Sequence, residues 1–125
     1  MQKQIKKSDS IKLCDSIVLG MQENKAKDIV VLDLSNIPTA VCDFFVICSG
    51  DSTTQVDGIC DNILKATRTE LNEKPLSTEG KNNSEWILLD YVNVVAHVFY
   101  HENRTFYDLE DLWSDAKRTN IPNLN

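Results

Sequence analysis

Apolar residues recur at helical spacing at Ile11, Cys14, Val18 and Met21, and Ser8, Asp9 and Ser10 ahead of them are helix-capping types. The first element is therefore predicted to be an amphipathic helix reaching about Asn24. Residues 28–34 form a short Ile/Val/Leu run that ends in Ser35-Asn36-Ile37-Pro38, the pattern of a buried strand followed by a loop. Residues 44–48 repeat it, closed by Ser49-Gly50-Asp51-Ser52. Helical spacing returns over 52–73, with Val56, Ile59, Cys60, Ile63, Leu64 and Leu71 on one side. Ser52 and Gln55 stand three apart at its start, as in a capping box. Beyond Lys74-Pro75 lies a weak strand near Leu76, then a polar connection to two further strands, 85–91 and 94–100. Leu109, Leu112, Trp113 and Ala116 space a short terminal helix. The order α-β-β-α-β-β-β-α implies an α/β fold, a mixed β-sheet packed with helices. No repeat or Pro/Gly/Ser-rich linker divides the chain, so residues 9–118 read as a single domain between a flexible basic start, 1–8, and a flexible tail, 119–125.

Strand alternation lets the two faces of the 85–100 hairpin be read separately. If Val92-Asn93 is a two-residue turn, Tyr91 pairs with Val94, Leu89 with Ala96 and Ile87 with Val98. That face is wholly apolar and belongs in the core. The opposite face carries Trp86, Leu88 and Asp90 on one strand and Val95, His97 and Phe99 on the other. Large apolar groups mixed with a carboxylate and an imidazole suit a partner surface. They also suit a second buried layer in which the Trp86 indole N–H is paired. Alternation alone leaves both readings open.

Composition narrows the classes. The chain has 125 residues and a net charge of −6, with thirteen Lys and Arg against nineteen Asp and Glu. Net acidity argues against direct binding of nucleic acid, which draws on clustered cations. The longest apolar run, 94–100, is too short to cross a bilayer. The cationic start leads into Ser-Asp-Ser rather than an apolar or Arg-rich segment, so neither a signal nor a transit peptide is expected and the location expected is cytoplasmic. Cys14, Cys42, Cys48 and Cys60 form no C-x-x-C pair and read as small buried hydrophobes, with no metal site.

Candidate chemistry is sparse. Ser49-Gly50-Asp51-Ser52 lies between a strand and a helix, where backbone N–H groups could hold an anion, but it lacks the Lys and Gly spacing of a P-loop. It also resembles the loop of nucleotidyltransferases, which need two carboxylates one residue apart on a following strand. Here Asp90 stands alone. The competing reading of the loop is a tight turn and a helix cap. No nucleophile–base set is evident for His97 or His101, so no catalytic residue and no cofactor is expected. The run 108–115 holds four acids and no base, either a solvated helix face or a contact for a basic partner.

Several linked motifs resemble the ribosomal silencing factor family, also called RsfS or Iojap. They are Asp43-Phe-Phe-Val-Ile, Ser49-Gly50-Asp51-Ser52-x-x-Gln55-Val56, Glu79-Gly80, Trp86-Ile-Leu-Leu-Asp90-Tyr91, Val94-Val-Ala-His97-Val-Phe99 and Arg104-x-Phe106-Tyr107-x-Leu109-Glu110-x-Leu112-Trp113-x-Asp115-Ala116, spread over 14–117. The resemblance implies a nucleotidyltransferase-like fold without the catalytic metal carboxylates, and a protein that is not an enzyme. It implies binding to large-subunit ribosomal protein fourteen on the surface where the small subunit docks, so that subunit joining is blocked and translation slows in starvation. Organellar relatives act in large-subunit assembly, which is the alternative role; a nucleotide-binding enzyme is the alternative of another class. The expected absence of a transit peptide places the chain with the bacterial form, and whether the free chain is a monomer or a homodimer stays open; the resemblance implies a partner surface of Glu79, Trp86, Leu88, Asp90, Tyr91, Asn93 and His97. One departure stands out. Val92-Asn93 replaces the family's usual Gly-Asp, and Val is poorly suited to the positive φ of a tight turn.

Overall fold

The computed structural model describes residues 6–124. In chain order it runs through helix α1 (Lys7–Glu23), strands β1 (Lys27–Asp33) and β2 (Phe44–Gly50), helix α2 (Thr53–Leu71) and strands β3 (Ser77–Glu79), β4 (Trp86–Asp90) and β5 (Val94–Tyr100). Two short helices, α3 (His101–Tyr107) and α4 (Leu109–Leu112), and strand β6 (Lys117–Ile121) complete it. The strands form one mixed sheet in the order β3-β4-β5-β2-β1-β6, parallel between β2 and β5 and antiparallel elsewhere. This is the mixed-sheet α/β architecture that the alternation of helical and strand periods predicts.

One face of the sheet is roofed by α1 and α2. Leu13, Ile17 and Met21 from α1 and Val56, Ile59 and Ile63 from α2 pack on Val46, Cys48, Ile87, Leu89, Ala96 and Val98. The two helices approach closely because Gly20 has no side chain: a Cβ there would lie 2.7 Å from the Ile63 Cα. Ser52 caps α2 by accepting the Gln55 N–H at 3.0 Å, and the Gln55 side chain turns back to accept the Asp51 N–H at 2.7 Å. Ser52 thus serves as the helix cap that the competing reading expects, while the Asp51 carboxylate pairs with Lys27 of β1. All four cysteines are buried and unpaired, and burial pushes each thiol upward, Cys42 to about 11.

The ends of the domain depart from expectation. Helix α1 starts at Lys7 without a side-chain cap, and Ser10, a predicted cap, is instead buried and donates to Asp43 Oδ2 at 2.7 Å. The expected flexible start at 1–8 falls partly outside the described residues, and its last two residues, Lys7 and Ser8, begin the first turn of α1. The terminal helix expected over 109–116 is only the single turn Leu109–Leu112, preceded by a helix, α3, that the polar sequence His101-Glu-Asn-Arg gave no sign of. The tail expected at 119–125 supplies most of β6, which pairs with β1 from Ile29↔Ile121 to Asp33↔Lys117. Its Lys-Arg-Thr-Asn sequence has no apolar alternation, so only the pairing with β1 makes it a strand.

Candidate functional site

The hairpin register matches the alternation: Ile87 pairs with Val98, Leu89 with Ala96, and the Tyr91 N–H donates to the Val94 carbonyl at 2.9 Å. The turn is made at a cost. Val92 sits at φ +78°, where Gly is the favoured residue, and positive φ is confined to the first of the two turn residues, as in a type II′ turn. Asp90 supports the turn by accepting the Val92 N–H on Oδ1 at 2.8 Å.

Opposite the α1/α2 roof, the sheet has only partial cover. Over β1 and β2 lie Leu34, Ile37, Ala40 and Cys42 from the β1–β2 connection, with Leu109, Trp113 and Ala116 from the C-terminal segment. Toward β4 and β3 this cover ends. The strip left open holds Trp86, Leu88 and Asp90, all half-buried, and exposed Glu79, whose backbone partner is Leu88 and whose side chain therefore shares that face. Next to Leu88 in the same row lies His97, only 3% exposed.

Trp86 is the centre of this strip. Its ring stacks on Phe99 at 5.0 Å between centroids, and Tyr107 of α3 packs on it at 4.5 Å. Its indole N–H donates to His97 Nδ1 at 3.1 Å. Phe45 then meets His97 edge-on at 4.6 Å and Trp113 at 6.0 Å, so the aromatic cluster runs from β4 to the C-terminal segment. The approach to Trp86 depends on Gly80 at φ +89°, since a Cβ there would lie 1.9 Å from the Trp86 carbonyl oxygen. Ser84, which donates to Asp57 of α2, ties the same connection to the helix layer.

The seven residues proposed from sequence divide. Glu79, Trp86, Leu88, Asp90 and His97 share the partly open face. Tyr91 does not: it points to the helix layer, is buried, and its hydroxyl is 2.9 Å from the Thr67 hydroxyl. The alternation had already put Tyr91 on the core face, and alternation prevails. Asn93 lies in the turn, where its side chain donates to Ser10 of α1 at 2.9 Å and its carbonyl accepts from Asp43 at 2.8 Å, so it braces the turn against α1 and β2. His97 is on that face but almost wholly buried. Burial pushes it down to about 3, and it is a neutral imidazole near pH 7. In the acidic run, Glu110 is turned inward to Arg104 at 3.2 Å, and Arg104 also donates to Ser49. Asp108, Asp111 and Asp115 remain exposed. Tyr107, 45% exposed and packed on Trp86, extends the apolar strip and was absent from the sequence-based set. Alternation within a hairpin carries no information about which distant residues pack over it.

Among the described residues no three His, Cys, Asp or Glu side chains gather as a metal site would require. The family model described as "Ribosomal silencing factor during starvation" matches residues 7–125. The ribosomal silencing factor RsfS of Bacillus subtilis is 39% identical over 94 residues, 75% of this chain and 78% of that protein. The protein of the same name from Halalkalibacterium halodurans is 37% identical over 100 residues, 79% of this chain and 83% of that one. A mouse protein, mitochondrial assembly of ribosomal large subunit protein 1, is 30% identical over 104 residues, 80% of this chain and 44% of its own length. A crystal structure from Chromobacterium violaceum superposes with a TM-score of 0.78 at 28% identity, covering 90% of this chain and 92% of that one. With matching motifs, matching fold and a family match over nearly its whole length, this chain belongs to the ribosomal silencing factor family.

Proposed function

We propose that this chain binds the large ribosomal subunit through ribosomal protein fourteen, using the open strip of its sheet, and so occupies the surface on which the small subunit would dock. The observation that carries the reading is Trp86, packed against Phe99 and Tyr107 yet partly open to solvent where the cover of the sheet ends. A fixed aromatic ring among apolar neighbours is the composition of an interface hot spot. Leu88 and Tyr107 enlarge the apolar contact, and Glu79 and Asp90 give it an acidic rim. That rim, on a chain of net charge −6, suits a basic ribosomal protein better than the RNA around it. A standard interface buries about 1,600 Å² in total, within reach of one sheet edge plus the α3–α4 segment. The action is steric and needs no catalytic group, in the cytoplasm where free subunits meet. In the free chain the same strip would also serve to pair two copies, which must separate before docking.

Trp86→Ala is expected to weaken cosedimentation with purified large subunits by about 30-fold or more, a hot-spot loss of roughly 2 kcal/mol. The native chain added to free subunits should reduce joined ribosomes in a sucrose gradient. Undiminished binding by folded Trp86→Ala, or enrichment of joined ribosomes, would sink the reading. Similarity to a mouse protein named for large-subunit assembly supports a second role through the same contact. Accumulation of immature large subunits on depletion in growing cells would favour assembly over silencing.

A further inference from the structure

The open strip contains one group that folding alone does not explain. His97 is buried among Phe45, Trp86 and Phe99, and its Nε2 has no hydrogen-bond partner among the described residues. The indole of Trp86 can only donate, so His97 Nδ1 is the acceptor and the neutral ring carries its proton on Nε2. A buried N–H without a partner costs about 1 to 3 kcal/mol. Leucine at this position would fill a similar space with no such cost. The one hydrogen bond that the imidazole makes among the described residues is as acceptor for Trp86. Trp86, for its part, lies partly open to solvent, so burial alone does not fix the orientation of its ring.

We infer that His97 is a positioning residue, which fixes the Trp86 ring flat on Phe99 in the orientation that the partner meets, and does not itself touch the partner. The contact lowers the ordering cost of docking, since an anchor already held in its bound orientation loses little freedom on binding. Phe45 supports this from the other side by meeting the imidazole edge-on, and Trp113 supports Phe45 in turn. The inference rests on the reading of Trp86 as the docking anchor, and the test separates the two.

The chain has two tryptophans, so its indole N–H groups give two nuclear magnetic resonance signals, and Trp86→Phe identifies the one from Trp86. In the native chain the Trp86 signal should exchange slowly with water. His97→Leu should speed that exchange at least tenfold, and His97→Asn, whose side-chain oxygen can stand in for Nδ1, should restore it. His97→Leu should also weaken binding to purified large subunits about tenfold, with recovery in His97→Asn and no further loss when placed on Trp86→Phe. An unchanged Trp86 signal in His97→Leu overturns the inference. So does an equal loss of binding on the Trp86→Phe background, which would show His97 acting by another route. If the signals behave as stated but Trp86→Ala binds large subunits like the native chain, the docking role fails while the His97–Trp86 contact stands.

Discussion

The two faces of the hairpin β4–β5 are made by the same strands, and they differ in what covers them. On the helix side, Ile87, Leu89, Val94, Ala96 and Val98 are fully buried beneath α1 and α2, the Tyr91 hydroxyl is paired with Thr67, and the buried Ser16 hydroxyl of α1 has no partner among the described residues. On the other side, cover thins from β1 toward β3, aromatic rings replace aliphatic chains, and a buried imidazole keeps an unpaired nitrogen. The first face is closed by an aliphatic layer. The second leaves Trp86 and Leu88 partly open beside Tyr107, and a large apolar group left in reach of solvent is the physical sign of a surface shaped for something besides folding.

The largest expected effect tests this contrast with two adjacent residues. Leu89→Ala, on the helix face, should destabilise the chain by about 2 to 5 kcal/mol, because the packed layer cannot close the cavity. Leu88→Ala, one residue away on the half-open face, should cost less than about 1 kcal/mol in stability. Urea unfolding of both variants measures the gap, and equal losses would mean that the faces are not energetically distinct.

A smaller effect comes from pH. Burial holds the His97 pKa well below the 6.5 of a free imidazole, at about 3. Between those values the unfolded chain takes up a proton that the folded chain refuses, so this residue leaves stability intact above pH 6.5 and lowers it as pH falls through the window. At pH 5 the loss from His97 should be about 2 kcal/mol. Comparing denaturant midpoints at pH 8 and pH 5 for the native chain and His97→Leu isolates it, because the carboxylates titrate in both. An identical pH dependence in the two would show that the imidazole is not held neutral by the fold.

The smallest effect has the opposite sign. The faces demand one register, and they hold Val92 at φ +78° to obtain it. Val92→Gly should therefore stabilise the chain by about 1 kcal/mol, strain relief being offset in part by the freedom glycine has when unfolded. The strand pairing should stay the same. A variant that loses stability, or shifts its cross-strand pairs, would mean that the turn rather than the faces sets the register.

Much of the site could be read from the sequence because strand side chains alternate with a period of two. That rule placed Ile87, Leu89 and Tyr91 together and Trp86, Leu88, Asp90 and His97 opposite them, as the structure has them. The family motif drew Tyr91 and Asn93 into the partner set, because a motif records which residues recur and not which way they point. Tyr91 serves the core, and Asn93 the brace to Ser10. Helix α3 and strand β6 escaped notice since polar sequences there carry neither period.

Sequence by itself determined the mixed α/β class, the hairpin register, the acidity and the family, each of which depends on local periodicity, composition or ordered motifs. Tertiary structure alone decided which part of the second face stays open. That follows from where Tyr107, Trp113 and the β1–β2 connection come to rest over strands far from them in the chain. It also turned His97 from a surface contact into a buried acceptor behind Trp86. Depth is a property of everything packed around a residue, and the residue's own neighbours in sequence do not encode it.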